Sequence, residues 1–328
     1  MSNLDPHPQE IDCSGAPFAG VEVVEPRVVP LGGIRALLVK RTLPTRDRSM
    51  IGAWCFADHY GPEPVAQSGG MNVIPHPHTG LQTVSWLFEG EVEHIDSAGV
   101  HAMVRPGEIN LMSAGHGISH SEVSTPSTDV LHGLQLWVVL PDAVRDDQHG
   151  FQHHEPEPVP LAGVDGESTG TVRVFVGEFA GVRSPIVTAT PMLGAELLLD
   201  AGMRLEIAVD PAFEHGVLLD TEELIVEGAD IGRSSLAYVG PGPERLTLEN
   251  PTGEPARLIL LGGVPFTEDV IMWWNFIGRT HDEIVEYREE WERHSERFGT
   301  VETWGPDERI PAPPLPNTRL KPRRRPGQ

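Results

Sequence analysis

The chain has little sulfur, little positive charge and no long apolar run. Two cysteines in 328 residues, Cys13 and Cys55, exclude a disulfide framework and a cysteine-rich zinc site. They point to a reducing, intracellular setting. Lys and Arg number 24 against 48 Asp and Glu, a formal charge of −24. The only lysines are Lys40 and Lys321, and five basic residues (Arg319, Lys321, Arg323, Arg324, Arg325) fall in the last ten positions. Residues 1–318 therefore hold 19 basic against 48 acidic side chains, a net −29. Such a body repels phosphates, so nucleic acid and anionic lipid surfaces are not expected partners. The longest apolar stretches, such as Val270–Ile277, fall far short of the ~20 residues that span a bilayer. The start lacks the basic and apolar regions of a signal peptide. A soluble, cytoplasmic, monomeric protein is expected.

Turn-forming residues are abundant, with 35 Gly and 31 Pro. The length suits two domains at about 150 residues each. Short β-like runs recur between Gly, Pro and Asp turns: Thr83–Phe88, Val92–Ile95, Val100–Val104, Ile109–Met112 and Leu131–Leu140. A second set echoes the first, from Thr171–Val176 to Ala256–Leu261. This spacing predicts an all-β sandwich or barrel, duplicated as a fold. Thr280-His281-Asp282-Glu283 is a capping-box pattern that opens a helix, with Gly299 as its expected stop. The expected organisation is an extension over 1–30, a first domain over 31–150 and a linker over 151–170. A second domain over 171–265, a helical segment over 266–300 and a disordered Pro/Arg-rich tail over 301–328 follow.

Eleven of the 15 histidines lie between His59 and His154. His76-Pro77-His78 places two imidazoles at i and i+2, which on a strand face one side. His120-Ser121-Glu122 repeats the geometry with an imidazole and a carboxylate. On neighbouring strands of one barrel the four would converge as three neutral nitrogens and one carboxylate oxygen. That set suits Fe(II), Mn, Ni, Cu or Zn and leaves a net charge of about +1. His59 reads as a hydrogen-bonded structural histidine. His94, His101 and His132 lie in strands, where alternation sends about half of such residues outward. His153-His154 read as solvated. Trp86, Phe88, Met112 and Trp137 read as barrel filling, and Trp273-Trp274 as an anchor for the C-terminal segment. His215 is the only histidine in residues 155–280, so no metal is expected in the second domain.

The stretch His76–Glu122, HPHTGLQTVSWLFEGEVEHIDSAGVHAMVRPGEINLMSAGHGISHSE, closely resembles the signature block of the pirin family, a branch of the cupin superfamily. The matching features are HPH-x-G, the strand ending in EG, the H-x-D-S-x-G turn, the P-G-E turn and M-S-A-G-x-G-I-x-H-x-E. Looser likeness extends over about residues 20–300. The resemblance implies two tandem jelly-roll-like cupin barrels with a C-terminal helix and one metal, usually iron, in the first barrel. The family ligands fall on His76, His78, His120 and Glu122. Gln82 departs from the pattern: cupins commonly carry Glu there, and an amide cannot act as a carboxylate base. His116 varies among relatives.

By the same resemblance the chain is expected to be a metal-dependent dioxygenase, quercetin 2,3-dioxygenase-like, with a flavonol-like or other enolic aromatic and O₂ as substrates. Glu122 is the candidate to accept the substrate proton. The alternative is a redox-sensitive iron-binding module that contacts a protein partner, for which a −29 body would suit a basic surface. A detoxifying or storage role is a third reading.

Overall fold

The computed structural model describes residues 20–31, 37–164 and 166–322. Cys13 and the Arg323–Arg325 cluster lie outside the described residues. Nearly all regular structure is strand, arranged as two barrels that each pair a seven-stranded sheet with a four-stranded one. In the first barrel the large sheet runs, in spatial order, Gly150–His154, Ile109–Ser113, Leu81–Glu89, Val130–Val139, Trp54–Pro64, Leu37–Leu43 and Arg27–Leu31. Its small sheet runs Asn72–His78, Ile118–Ser124, Val92–Asp96 and His101–Val104.

The second barrel repeats this order. Its large sheet is Val21–Val24, Leu236–Val239, Glu214–Leu219, Ala256–Gly263, Met192–Leu199, Ser168–Val176 and Val159–Ala162. Its small sheet is Arg204–Ala208, Arg245–Glu249, Glu223–Val226 and Ala229–Gly232. All the pairings between these strands are antiparallel.

The barrels exchange edge strands. Val21–Val24 precedes the first barrel yet pairs with Leu236–Val239 of the second. Gly150–His154 precedes the second barrel yet pairs with Ile109–Ser113 of the first.

The two large sheets face each other across a buried seam. Trp54 donates its indole N–H to the carbonyls of Leu193 (3.0 Å) and Gly262 (3.2 Å). Trp86 donates to Glu196 at 2.7 Å and packs on Phe175. Trp86 thus fills the seam rather than the barrel interior. Burial pushes the Glu196 carboxyl up from its ordinary value, while the Trp86 bond opposes that. At Gly52 the backbones touch: a Cβ there would stand 2.7 Å from Gly263 Cα, and φ is +53°. Only glycine allows this approach.

The stretch expected as a linker, 151–170, is instead largely strand. Its few apolar residues are diluted by Pro, Gly and charged ones, so a composition reading hid them. Phe151 packs against Met112, Ala114 and Ile118, and Leu161 is fully buried in the second core. His153, expected to be solvated, is exposed, and its Nδ1 also meets Asn110 Oδ1 at 2.7 Å.

The expected helix covers His281–Glu292, with Thr280 Oγ1 accepting from the Glu283 amide at 3.2 Å. It ends seven residues before Gly299, and a hairpin, Ile271–Trp273 with Phe276–Gly278, precedes it. The tail expected to be disordered is packed through its first part. Val301, Ile310 and Ala312 are buried, and Ile310 bridges the Trp291 indole and the Pro75 carbonyl at 2.8 Å each. Among the described residues no helix is long and apolar enough to cross a membrane.

Candidate metal centre

His76 and His120 are direct cross-strand partners, since Asn72–His78 pairs with Ile118–Ser124 in that register. Alternation brings His78 to the same face as His76. The three rings are fully buried, with centroids 4.4 to 5.0 Å apart. One ring nitrogen from each lies within 4.8 Å of the others. Trp137, stacked on Phe56, stands 5.2 Å from His78 and walls the cluster inside the barrel.

Hydrogen bonds fix the tautomers. Nδ1 of His76 faces the Ile74 carbonyl at 3.0 Å, and Nδ1 of His78 faces the Asn275 carbonyl at 3.1 Å. A carbonyl only accepts, so both rings carry the proton on Nδ1 and present a lone pair on Nε2. A chain settles His120 in the same way. His94 Nε2 faces Asp96 Oδ2 at 3.3 Å, and His94 Nδ1 faces His120 Nδ1 at 3.3 Å. With the Asp96 carboxylate accepting from His94 Nε2–H, His94 Nδ1 accepts from His120 Nδ1–H and leaves His120 Nε2 as a lone pair.

That lone pair lies 3.1 Å from His78 Nε2. Two lone pairs at this separation repel, and a shared cation relieves the repulsion. Burial holds all three imidazoles well below their ordinary pKa, so they stay neutral.

Glu122 is 1% exposed and follows a register shift after His120. Its Oε1 accepts from Ser85 Oγ at 3.1 Å, and Oε2 has no hydrogen-bond partner among the described residues. The carboxylate groups with His120 and His94. It faces Tyr60, whose hydroxyl is pushed well above its usual pKa by burial and by that carboxylate. His76, His78 and His120 form one group of candidate ligand atoms, and Glu122 falls in a second with His120 and His94; three neutral nitrogens fit a divalent transition-metal ion.

The remaining histidines separate clearly. His59 and His132 both reach one carboxylate oxygen of Asp220, at 2.8 and 2.5 Å, and His59 Nδ1 meets Ser234 Oγ at 2.6 Å. Arg257 lies 3.3 Å from the other oxygen. Burial pushes Asp220 up, but the His132 and His59 bonds outweigh it and hold the carboxyl low. This group is satisfied internally and sits beside a guanidinium, so it reads as a clamp between barrels. His101 pairs with Glu93 on the surface, and His116 contacts the Asp147 carbonyl away from the cluster.

Gln82 turns away. Ser85 faces Glu122 and Trp86 faces the second barrel, so alternation puts Gln82 on the Trp86 side, where it donates to Ser113 Oγ at 2.6 Å. The sequence reading missed Ser85, Gln135, Tyr60, Asp96 and the Asn275 carbonyl as neighbours of the cluster. Their signal was strand pairing: Ser85 and Gln135 are direct partners, as are Asp96 and His120.

Two fused antiparallel barrels of one topology, with imidazoles converging inside the first, define a tandem cupin protein. The pirin family model matches residues 36–138, and the model of the pirin C-terminal cupin domain matches residues 194–299. The chain belongs to the pirin family. It is 42% identical over 294 residues to a Pseudomonas aeruginosa protein provisionally named a quercetin 2,3-dioxygenase, covering 89% of this chain and 90% of the relative. Pirin of Homo sapiens is 30% identical over 235 residues, 70% of this chain and 79% of that one. A crystal structure of quercetin 2,3-dioxygenase from Acinetobacter baumannii matches with a TM-score of 0.83 at 36% identity. That match covers 92% of this chain and 98% of the other.

Proposed function

We propose that this protein is a metal-dependent dioxygenase whose substrate is a flavonol-like or other enolic aromatic, such as quercetin, with O₂ as co-substrate. The observation that carries the reading is the pair of facing lone pairs on His78 and His120 beside an unpartnered, buried Glu122 oxygen. The names of the Pseudomonas and Acinetobacter relatives support the substrate class.

In this reading His76, His78 and His120 hold one divalent ion, assigned as Fe(II), with Glu122 as fourth ligand. Mn, Ni, Cu and Zn are the other ions this donor set takes. The bound ion supplies Lewis acidity that favours the ionised form of an enol oxygen. Glu122 Oε2 would accept the enol proton once free of the ion, while the Ser85 hydroxyl donates to Oε1 and keeps the carboxylate in place. The Asp96–His94–His120 chain keeps the third imidazole turned inward. Burial excludes water from the proton transfer.

Anaerobic purification with elemental analysis, followed by oxygen-uptake assays with quercetin, tests the reading. One metal ion per chain and quercetin-dependent uptake are expected, both lost in His76→Ala and His120→Ala. Uptake retained in the metal-free variants would overturn the mechanism. Iron without uptake would favour a redox-sensitive binding module.

A further inference from the structure

A cavity of about 740 Å³ opens at one end of the second barrel, away from the His76 cluster. Beneath it lies His215, on the strand Glu214–Leu219. That strand is third in its sheet, the place Leu81–Glu89 holds in the first barrel. Its side chains alternate. Glu214 turns to the first barrel, where it accepts from the Gly52 amide at 2.6 Å, and Leu218 joins the core shared with that barrel. Val217 and Leu219 belong to the second barrel's own core. His215 shares their face, so it lies inside the second barrel at its end.

His215 is fully buried, and neither ring nitrogen has a hydrogen-bond partner among the described residues. Buried polar groups are rarely left so. The imidazole adjoins the cavity wall. A Cβ built on Gly262, its cross-strand partner, would meet Leu193 Cβ at 3.1 Å, Phe213 Cδ2 at 3.3 Å and His215 Cδ2 at 3.4 Å. Leu193 and Phe213 both line the cavity.

We propose that this cavity binds a small uncharged phenol, its ring against Phe179 and Leu193 and its hydroxyl bonded to His215. The wall chemistry selects the ring: both side chains are buried, apolar and part of the second barrel's own core. Burial pushes His215 down to about 4, so at neutral pH the ring is uncharged and one nitrogen accepts a hydrogen bond from a hydroxyl. The rim disfavours anions, because Glu178 and Arg183 pair with each other and leave Asp210 in excess. Phe213 is only partly buried, follows the turn at Asp210, and is the side chain that turns aside to admit the ligand. The site is independent of the dioxygenase reading.

The test is calorimetric titration of the full chain at pH 7 with 2-naphthol, with stopped-flow fluorescence for rates. Saturable binding of one molecule per chain is expected. It should persist in His76→Ala and weaken at least tenfold in His215→Leu. The absence of saturation up to millimolar probe, an unchanged affinity in His215→Leu, or loss of binding in His76→Ala would overturn the proposal. Should His215→Leu fail to fold, Phe213→Ala decides: association at least tenfold faster supports the gate, and an unchanged rate overturns it.

Discussion

His120 and His94 meet through their Nδ1 atoms at 3.3 Å, and the bond fixes which nitrogen His120 turns to the cluster. His94→Phe keeps the ring volume and removes the acceptor. We expect metal affinity to fall about 10- to 100-fold, with the fold retained. Competition with a coloured chelator measures it. An unchanged affinity would show that the Asp96–His94 pair does not orient His120.

Gln82 stands where cupins commonly carry a carboxylate, yet it lies on the face opposite Ser85. Gln82→Glu should therefore leave metal content and oxygen uptake per folded chain unchanged. A carboxylate in this nearly buried place should cost about 1–3 kcal/mol of stability, read by urea unfolding. A rise in metal affinity would mean that the side chain reaches the cluster.

His215 makes stability depend on pH in a defined direction. Burial lowers its pKa from 6.5 to about 4. Between those values the unfolded chain binds a proton that the folded chain refuses. Stability therefore rises with pH across this window and is complete above 6.5, by up to about 3 kcal/mol from this group. His215→Leu should flatten the Tm profile between pH 4.5 and 7. An unaltered slope would defeat the assignment.

Removal of residues 301–328 should destabilise the first barrel. Val301, Ile310 and Ala312 lose their burial, and the Trp291 indole loses the Ile310 carbonyl. Burial of Val and Ile side chains alone accounts for about 3 kcal/mol or more. A melting temperature equal to that of the intact chain would show that the segment is not part of the core.

The sequence made the histidine cluster legible because His76 and His78 stand two apart on one strand, whose period is two. His76, His78 and His120 converge as that period requires, and the capping box at Thr280 forms with its expected bond. Positions set by pairing between distant segments were not legible. His94 lies 26 residues from His120 and meets it only through strand register. The Asn275 carbonyl reaches His78 from 197 residues away. The segments 151–170 and 301–322 failed for another reason. Their few apolar residues, such as Leu161 and Ile310, are diluted by Pro and Gly, and composition averages away the single buried side chains that tie such stretches down.

The exchange of edge strands bears on how the molecule is made. Val21 leaves the ribosome more than two hundred residues before Val239, its partner. The first described strand thus waits until Leu236–Val239 has been made, and meanwhile offers unpaired amides and carbonyls to any neighbouring chain. Loss of the N-terminal strand would uncap the far barrel while sparing the near one. Separation of the chain between Val139 and Gly150 would leave neither large sheet complete, so the two barrels are expected to melt, and to be inherited, as one piece.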